Sequence, residues 1–558
     1  MKYTKFTKCT AALSICLIML LSGITYAAEP VVQPTTIPGE YSVGAQPFPA
    51  AASIIARPAQ TLPVYGLYTW GYEYMQNREN IKNVGWRSVR LAGTITDEYM
   101  TALAQDGMEV MVTAEMSVMT PGLSISRNDY ASDEVYIQTY VAEIQKLLTR
   151  YGPNGTFFSE NPTVPYRPIL FVEILNEPNF HYMIRDREPR PEVEAEREAL
   201  YAKVLTAAYK AVKASWSEVS VIGFAAGGAS AGDVRFFQNV LKKDADIIKN
   251  FDIWSTHPYI TPVSPGANKI EGWGRYSIAS TMQTNREMMK KVADKPVWFT
   301  EIGWQISQAD GGRYNIWDTP VPPLLQAAYV TEMYAIAMRL GVERTHIMFA
   351  TDTDGFNGGF FLQDKSWRPS AYAVQNMISL MPNPKLTGVI HDGADGTYAY
   401  KFLADTTDAS ANDVTMVWNV GGAKTITLPW GEPTALVYDM LGSEQVITAT
   451  GGNITLDIGA CPMYVTANDN PFVTSLIFEN SCYTAEVSGA MSGANTADAI
   501  LVVYQGTCPM YVAKQTISNS NPAVTLNIPV DGDTYNAKLF VWDSINTMRP
   551  LIKPVVLD

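Results

Sequence analysis

The sequence predicts an α/β protein, a (β/α)8 barrel followed by two all-β, sandwich-like domains. Three observations carry this expectation. Between about residues 60 and 382, eight short β-branched or aromatic runs alternate with helix-patterned stretches. Past Pro382 the helical patterning stops, and short strand-like segments separated by glycine turns replace it. The chain is 558 residues long, 47% hydrophobic and 11% aromatic, which is enough for about two to four units with cores of their own.

The N-terminus reads as an address. Lys2, Lys5 and Lys8 precede an apolar run from Ala11 to Ile24, and Thr25 and Ala27 set small residues at a cleavage site. Residues 1–27 are therefore expected to be a signal peptide of a secreted, extracellular protein. The apolar run is too short for a transmembrane span, so no membrane crossing is expected once the leader is removed. Residues 28–59 form a lead-in. Losing the leader's three lysines takes the formal charge from −14 to −17. So acidic a chain repels phosphate backbones, and nucleic acid is excluded as a partner. Four His leave little for a multi-His metal centre, and no cofactor or metal is expected. Cys461, Cys482 and Cys508 remain in the mature chain, an odd number that allows one internal bridge at most, with Cys482 and Cys508 the candidate pair.

Within the barrel region, 60–382, the strand candidates are Val64–Trp70, Arg87–Leu91, Glu109–Ala114, Ile169–Leu175, Ser220–Phe224, Asp252–Thr256, Pro296–Thr300 and Thr345–Thr351. Helical periodicity covers Asp133–Tyr151, Pro191–Trp216, Asp233–Lys249, Ser277–Val292 and Pro322–Leu340. Ser132 followed by Asp133 and Glu134 marks the start of the first of these. Eight repeats favour a closed barrel. A doubly wound open sheet would call for a glycine-rich phosphate loop after the first strand, and none is there. Residues 383–468 read as a β-sandwich, with a hairpin turn at Asp392-Gly-Ala-Asp-Gly396, and 469–558 as a second β-rich domain.

The chemistry of such a barrel lies where its strands end. Strand four ends Asn176-Glu177-Pro178-Asn179, strand six Thr256-His257-Pro258-Tyr259, and strand seven Glu301-Ile302-Gly303-Trp304. Two carboxyls facing each other across a barrel mouth suit glycosidic bond cleavage, where one protonates the leaving oxygen and the other stays ionised. Asn176-Glu177-Pro178 with Glu301 downstream resembles glycoside hydrolase clan A, the retaining (β/α)8 glycosidases. The Thr-His-Pro-Tyr and Phe-Thr-Glu-Ile-Gly-Trp segments look most like family 39 or, failing that, family 5.

The resemblance implies Glu177 as general acid/base, Glu301 as nucleophile and Asn176 as a partner of the sugar 2-hydroxyl. It also implies Arg90 holding the nucleophile ionised, with Tyr259 or His257 orienting it. A C-terminal sandwich is a common companion in that clan. Strand eight ends Phe349-Ala-Thr-Asp352-Thr-Asp354 without the Trp that many clan members place beneath the sugar.

Other roles compete for these residues. Glu173, four residues before Glu177, reads as a buried structural acid paired with an arginine. Trp70, Trp273, Trp304 and Trp317 are either sugar platforms or packing, with Trp70 and Trp304 placed best for the former. Gly228-Ala-Ser230-Ala-Gly232 matches a serine-nucleophile pattern, but Ala225–Ala229 separate it from the strand that should present it. The expected activity is a secreted retaining β-glycoside hydrolase acting on a β-linked poly- or oligosaccharide. The alternative is a non-catalytic carbohydrate-binding or surface protein on a barrel scaffold. In either case the C-terminal β domains could contact glycan or a cell surface.

Overall fold

Strands buried on both faces need nearly continuous apolar sequence, and the eight predicted runs supply it. In the computed structural model they form β1 (Tyr65–Trp70), β2 (Ser88–Ala92), β3 (Glu109–Ala114), β4 (Phe171–Ile174), β5 (Ser220–Ala226), β6 (Ile253–Thr256), β7 (Val297–Ile302) and β8 (Arg344–Met348). All eight pair in parallel, each with the next, and β1 closes on β8. The structure describes residues 63–557 except 181–182, 185–189, 228–230, 268, 272–273, 308–318, 354–355, 469–471, 490–495, 519, 532–534, 543–544 and 546–553. The expected leader and lead-in, Ser230, Trp273 and Trp317 lie outside the described residues. Among those described, no helix is long and apolar enough to cross a membrane.

Helix Asp133–Tyr151 forms where its periodicity predicts, with the Ser132 hydroxyl accepting the Val135 N–H at 3.3 Å. Helices Gly71–Val84, Asp97–Gln105 and Pro369–Leu380 escape the periodicity reading. In Gly71–Val84 the buried apolar side chains are only Tyr74, Ile81 and Val84, so tertiary packing rather than a wide apolar stripe makes it a helix. After β6 the chain contains a short antiparallel hairpin, Lys269–Glu271 with Gly274–Tyr276.

The chain divides into two compact units. One holds the described residues up to Thr427, with Val437–Glu444 and Thr455–Val465. The other holds Leu428–Leu436, Gln445–Ile454 and everything from Thr466. In the first, strands Lys385–Asp392, Thr397–Leu403 and Asp413–Asn419 pair antiparallel in that order, and Asp392–Thr397 is a hairpin turn as expected. They are fastened to the barrel by Arg339 on Asp392 at 2.8 Å and by the Tyr398 hydroxyl on the Gly266 carbonyl at 3.0 Å.

In the second unit Phe472–Glu479, Cys482–Gly489 and Ala523–Pro529 form one sheet. Cys508–Ser518, Thr496–Gln505, Asn536–Trp542 and Val555–Leu557 form another. Alternating side chains such as Tyr483, Ala485 and Val487 turn inward to meet Leu501, Val503 and Leu539. Cys461, Cys482 and Cys508 are free thiols, so the candidate Cys482–Cys508 bridge is not formed.

Candidate active site

At the end of β4 the backbone departs from ordinary geometry. Leu175 and Glu177 adopt left-handed φ of 64° and 46°, a conformation L-residues with side chains avoid. Hydrogen bonds hold the bend. Leu175 N–H donates to the Tyr140 hydroxyl at 3.1 Å, and Glu177 N–H donates to the Ala225 carbonyl, on β5, at 3.0 Å. Asn179 locks the next strand-end, giving its amide to the Gly227 carbonyl at 2.6 Å and accepting the Gly227 N–H at 3.0 Å. A Cβ on Gly227 would lie 1.9 Å from Glu177 Oε1, so only glycine lets the carboxyl take its position.

Arg90, fully buried on β2, organises the rest. Its Nε and Nη2 donate to Glu173 Oε2 at 2.9 and 2.7 Å. Its Nη1 donates to Glu301 Oε2 at 2.7 Å, and Nη2 also reaches Asn176 Oδ1 at 2.6 Å. The guanidinium sits 4.2 Å above the Tyr68 ring. Thr113 and Ser255 donate to the two oxygens of Glu173 at 3.1 and 3.2 Å. Glu173 is thus the buried, arginine-paired acid that the sequence predicts. Burial is the largest influence and favours its neutral form, but Arg90 and the other groups around the carboxyl together outweigh burial and hold its pKa below the ordinary value.

Glu301 receives a second donor, the Tyr259 hydroxyl, at 2.7 Å on its other oxygen. His257 stands between the two catalytic candidates. Its Nδ1 is 3.1 Å from Glu177 Oε1 and 3.8 Å from Glu301 Oε2, while Nε2 meets the Thr300 hydroxyl at 3.1 Å. Burial pushes the imidazole down to about 4, so it is neutral at physiological pH. Burial pushes Glu177 the other way, up to about 7, against the field of Arg90 and with that of Glu173. Glu177, His257 and Glu301 each offer one donor atom within 4.8 Å of the others, and among the described residues only this group could hold a metal ion.

The structure therefore brings Glu177, Glu301, Asn176, Arg90, His257 and Tyr259 to one place. Trp70 borders it. The indole is partly exposed, 4.5 Å from the Phe349 ring and 5.7 Å from Tyr68, which itself carries Arg90. Phe349, closing β8, completes an aromatic wall where the expected Trp is missing. Trp304 requires a correction. Its side chain is fully buried, its indole N–H donates to the Val263 carbonyl at 3.1 Å, and its ring packs on Tyr329, so no face is open to a sugar. Asp352 is bound by both terminal nitrogens of Arg368 at 2.7 and 2.8 Å, a buried pair.

Sequence reasoning missed Gly227, Thr113, Ser255 and Thr300. Each lies on or directly after a barrel strand, so reading the end of every strand, motif or not, would have found them.

No family model matches the sequence, and no curated relative does. Among solved structures, a family 39 glycoside hydrolase from the gut symbiont Bacteroides cellulosilyticus WH2 superposes with a TM-score of 0.54 at 19% identity, covering 74% of this chain and 81% of that one. A β-porphyranase of glycoside hydrolase family 86 from the human gut bacterium Bacteroides plebeius gives 0.46 at 11% identity, covering 85% and 94%. The first likeness shows a shared fold, and at this identity the fold is what it shows.

Proposed function

We propose that the protein is a secreted retaining β-glycoside hydrolase acting on a β-linked poly- or oligosaccharide. One observation carries this reading. Carboxyl oxygens of Glu177 and Glu301 lie within 4.8 Å of each other at the mouth of the barrel. Retaining enzymes space their carboxyls by about 5–5.5 Å, and inverting ones by about 6.5–9.5 Å to admit a water between. The environments divide the labour. Glu177, raised to about 7, keeps a proton for the leaving oxygen, whereas Glu301 is held in place for attack by hydrogen bonds from Arg90 and Tyr259, one on each oxygen.

In the first step a Glu301 oxygen attacks the anomeric carbon. The bond from that carbon to the leaving oxygen breaks, and the leaving oxygen takes the proton of Glu177. In the second, the Glu177 carboxylate accepts a proton from water as its oxygen attacks the same carbon and releases Glu301. Asn176, fixed by Arg90, presents its amide to the sugar. The aromatic wall of Trp70 and Phe349 offers a stacking edge. The leader expected at residues 1–27 supports export, and the C-terminal β sheets are assigned a role in contact with glycan or cell surface.

The test is hydrolysis of a β-glycan and aryl β-glycoside panel, with the anomer of the first-formed product read by NMR. Retention of configuration, and its loss together with turnover in Glu301→Gln, is the expected result. An inverted product removes the double displacement. Glycan binding without turnover on any member would replace the enzyme with a carbohydrate-binding protein.

A further inference from the structure

Behind Glu177 runs an unbroken series of hydrogen bonds that ends on Glu173. His257 Nδ1 lies 3.1 Å from Glu177 Oε1, and its Nε2 lies 3.1 Å from the Thr300 hydroxyl on β7. That hydroxyl bonds to the Ser255 hydroxyl on β6, which in turn donates to Glu173 Oε1 at 3.2 Å. His257, Ser255 and Thr300 are fully buried, so their polar atoms must answer one another.

Counting protons gives the series a direction. Glu173, ionised and doubly bound by Arg90, can only accept. Ser255 and Thr300 have one hydroxyl proton each. With the Ser255 proton on Glu173, the bond between the two hydroxyls needs the Thr300 proton, and none is left for Nε2. Glu173 also draws on the Thr300 hydroxyl, and a proton given there is equally lost to Nε2. Nε2 must then be the donor. The imidazole is neutral, since burial pushes it down to about 4, so it carries one proton and Nδ1 is a bare lone pair. The opposite tautomer would turn the Thr300 proton to Nε2. It would forfeit either the bond between the hydroxyls or the Ser255 bond on the buried carboxylate.

We propose that Ser255 and Thr300 are positioning residues that fix His257 as its Nε2–H tautomer, leaving Nδ1 as the acceptor that holds the Glu177 proton on Oε1. The inference deepens the glycosidase reading and rests on it for what becomes of that proton. In the first step the proton passes from Oε1 to the leaving oxygen, and the bonds behind His257 stay as they are. In the second, Nδ1 offers the Glu177 carboxylate no donor, so the carboxylate stays a strong base towards water.

Two readouts on the full chain decide it. The first is the nitrogen NMR spectrum of histidine-labelled protein at neutral pH, with the His257 signals identified by their loss in His257→Gln. A bare Nδ1 and a protonated Nε2 are expected in the wild type. The second is kcat/KM on alkyl and aryl β-glycosides of graded leaving ability. Thr300→Val removes the acceptor for Nε2–H. On alkyl glycosides, which need the proton, it is expected to cost roughly 10- to 100-fold, the worth of one well-placed hydrogen bond. A dinitrophenyl glycoside, which leaves without the proton, should lose little. Thr300→Ser restores the hydroxyl and should recover the loss.

A protonated Nδ1 in the wild type would overturn the proposal, whatever the stability of the variants. So would unchanged activity in Thr300→Val, an equal loss on every leaving group, or a loss that Thr300→Ser does not recover. A wild type that hydrolyses no glycoside, yet shows the expected tautomer and loses it in Thr300→Val, would instead sustain the role of the hydroxyls and remove the glycosidase reading.

Discussion

The barrel encloses two arginines, and the contrast between them separates its two ends. Arg90, in the middle of β2, is answered by Glu173, Glu301 and Asn176. Arg344, which opens β8, pairs with Glu109 and donates to the Ser88 hydroxyl at 3.0 Å, but its Nε and Nη2 find no hydrogen-bond partner. It lies flat instead against Trp298, with its guanidinium carbon 4.2 Å from the ring centre. The balance of forces follows. Burial lowers the pKa of Arg344 against the pull of Glu109, whereas for Arg90 the surrounding acids outweigh burial and raise it. One end of the barrel holds a fixed array of charges at the place where a sugar would react. The other uses the same residue type as a plug packed on aromatic rings. Activity should be sensitive at the first and indifferent at the second.

The strongest test of that division replaces each arginine by Met. Arg90→Met leaves Glu173 buried without its countercharge and is expected to cost about 3–5 kcal/mol of stability. It should also lower kcat/KM by at least about 10²–10³-fold, since a preorganised charge near the reacting atoms is lost. Arg344→Met keeps the aromatic packing and leaves Glu109 with one face already in solvent. Its expected cost is about 1–3 kcal/mol, with kcat/KM unchanged. Denaturant titration and kinetics on the same preparations decide it. Parallel losses of activity in both variants would show that the two ends are not separable.

A finer probe of the mouth is Gly227→Ala. The added methyl falls on the Glu177 carboxyl, and the residue is otherwise held by the Asn179 clamp. Displacing a catalytic carboxyl by about 1 Å costs on the order of 10²-fold in rate. The expected result is that loss in kcat, with KM and melting temperature little changed. A variant that keeps full activity would mean that Glu177 does its work from another position.

The two ends also differ in how far the sequence discloses them. Glu177 and Glu301 are legible because each closes an apolar strand, and Arg90 because it sits on a third. Periodicity alone places the strands to within a few residues, with β3 matching its predicted bounds. What stays hidden is what depends on contact rather than on order. Trp304 reads as a platform from its place beside Glu301, yet packing turns it inward. Gly227 looks like one glycine in a Gly/Ala-rich stretch until the carboxyl beside it is placed.

The smallest expected effect concerns two acids that burial raises for different ends. At the mouth, Glu177 at about 7 must be protonated to act, so kcat/KM should fall as pH rises through that value. Glu332, on helix Pro323–Arg339, is buried on the outer layer of the barrel and accepts the Ser264 hydroxyl at 2.6 Å. Burial pushes it up to about 8, and Tyr398 and Cys461 feel its charge. Its folded pKa exceeds the unfolded value of 4.5, so the native state binds the extra proton. Its contribution to stability is complete below that unfolded value and is lost as pH rises through about 8.

Glu332→Gln keeps a partner for Ser264 and removes the titration. The melting temperature of the wild type should decline between about pH 5 and 8 more steeply than that of the variant, by a few degrees. The pH profile of kcat/KM should be the same in both. Parallel melting curves would mean that Glu332 keeps its proton, or its charge, in both states. A shifted activity profile would mean that the outer layer and the mouth are electrostatically coupled, contrary to the separation that the two arginines suggest.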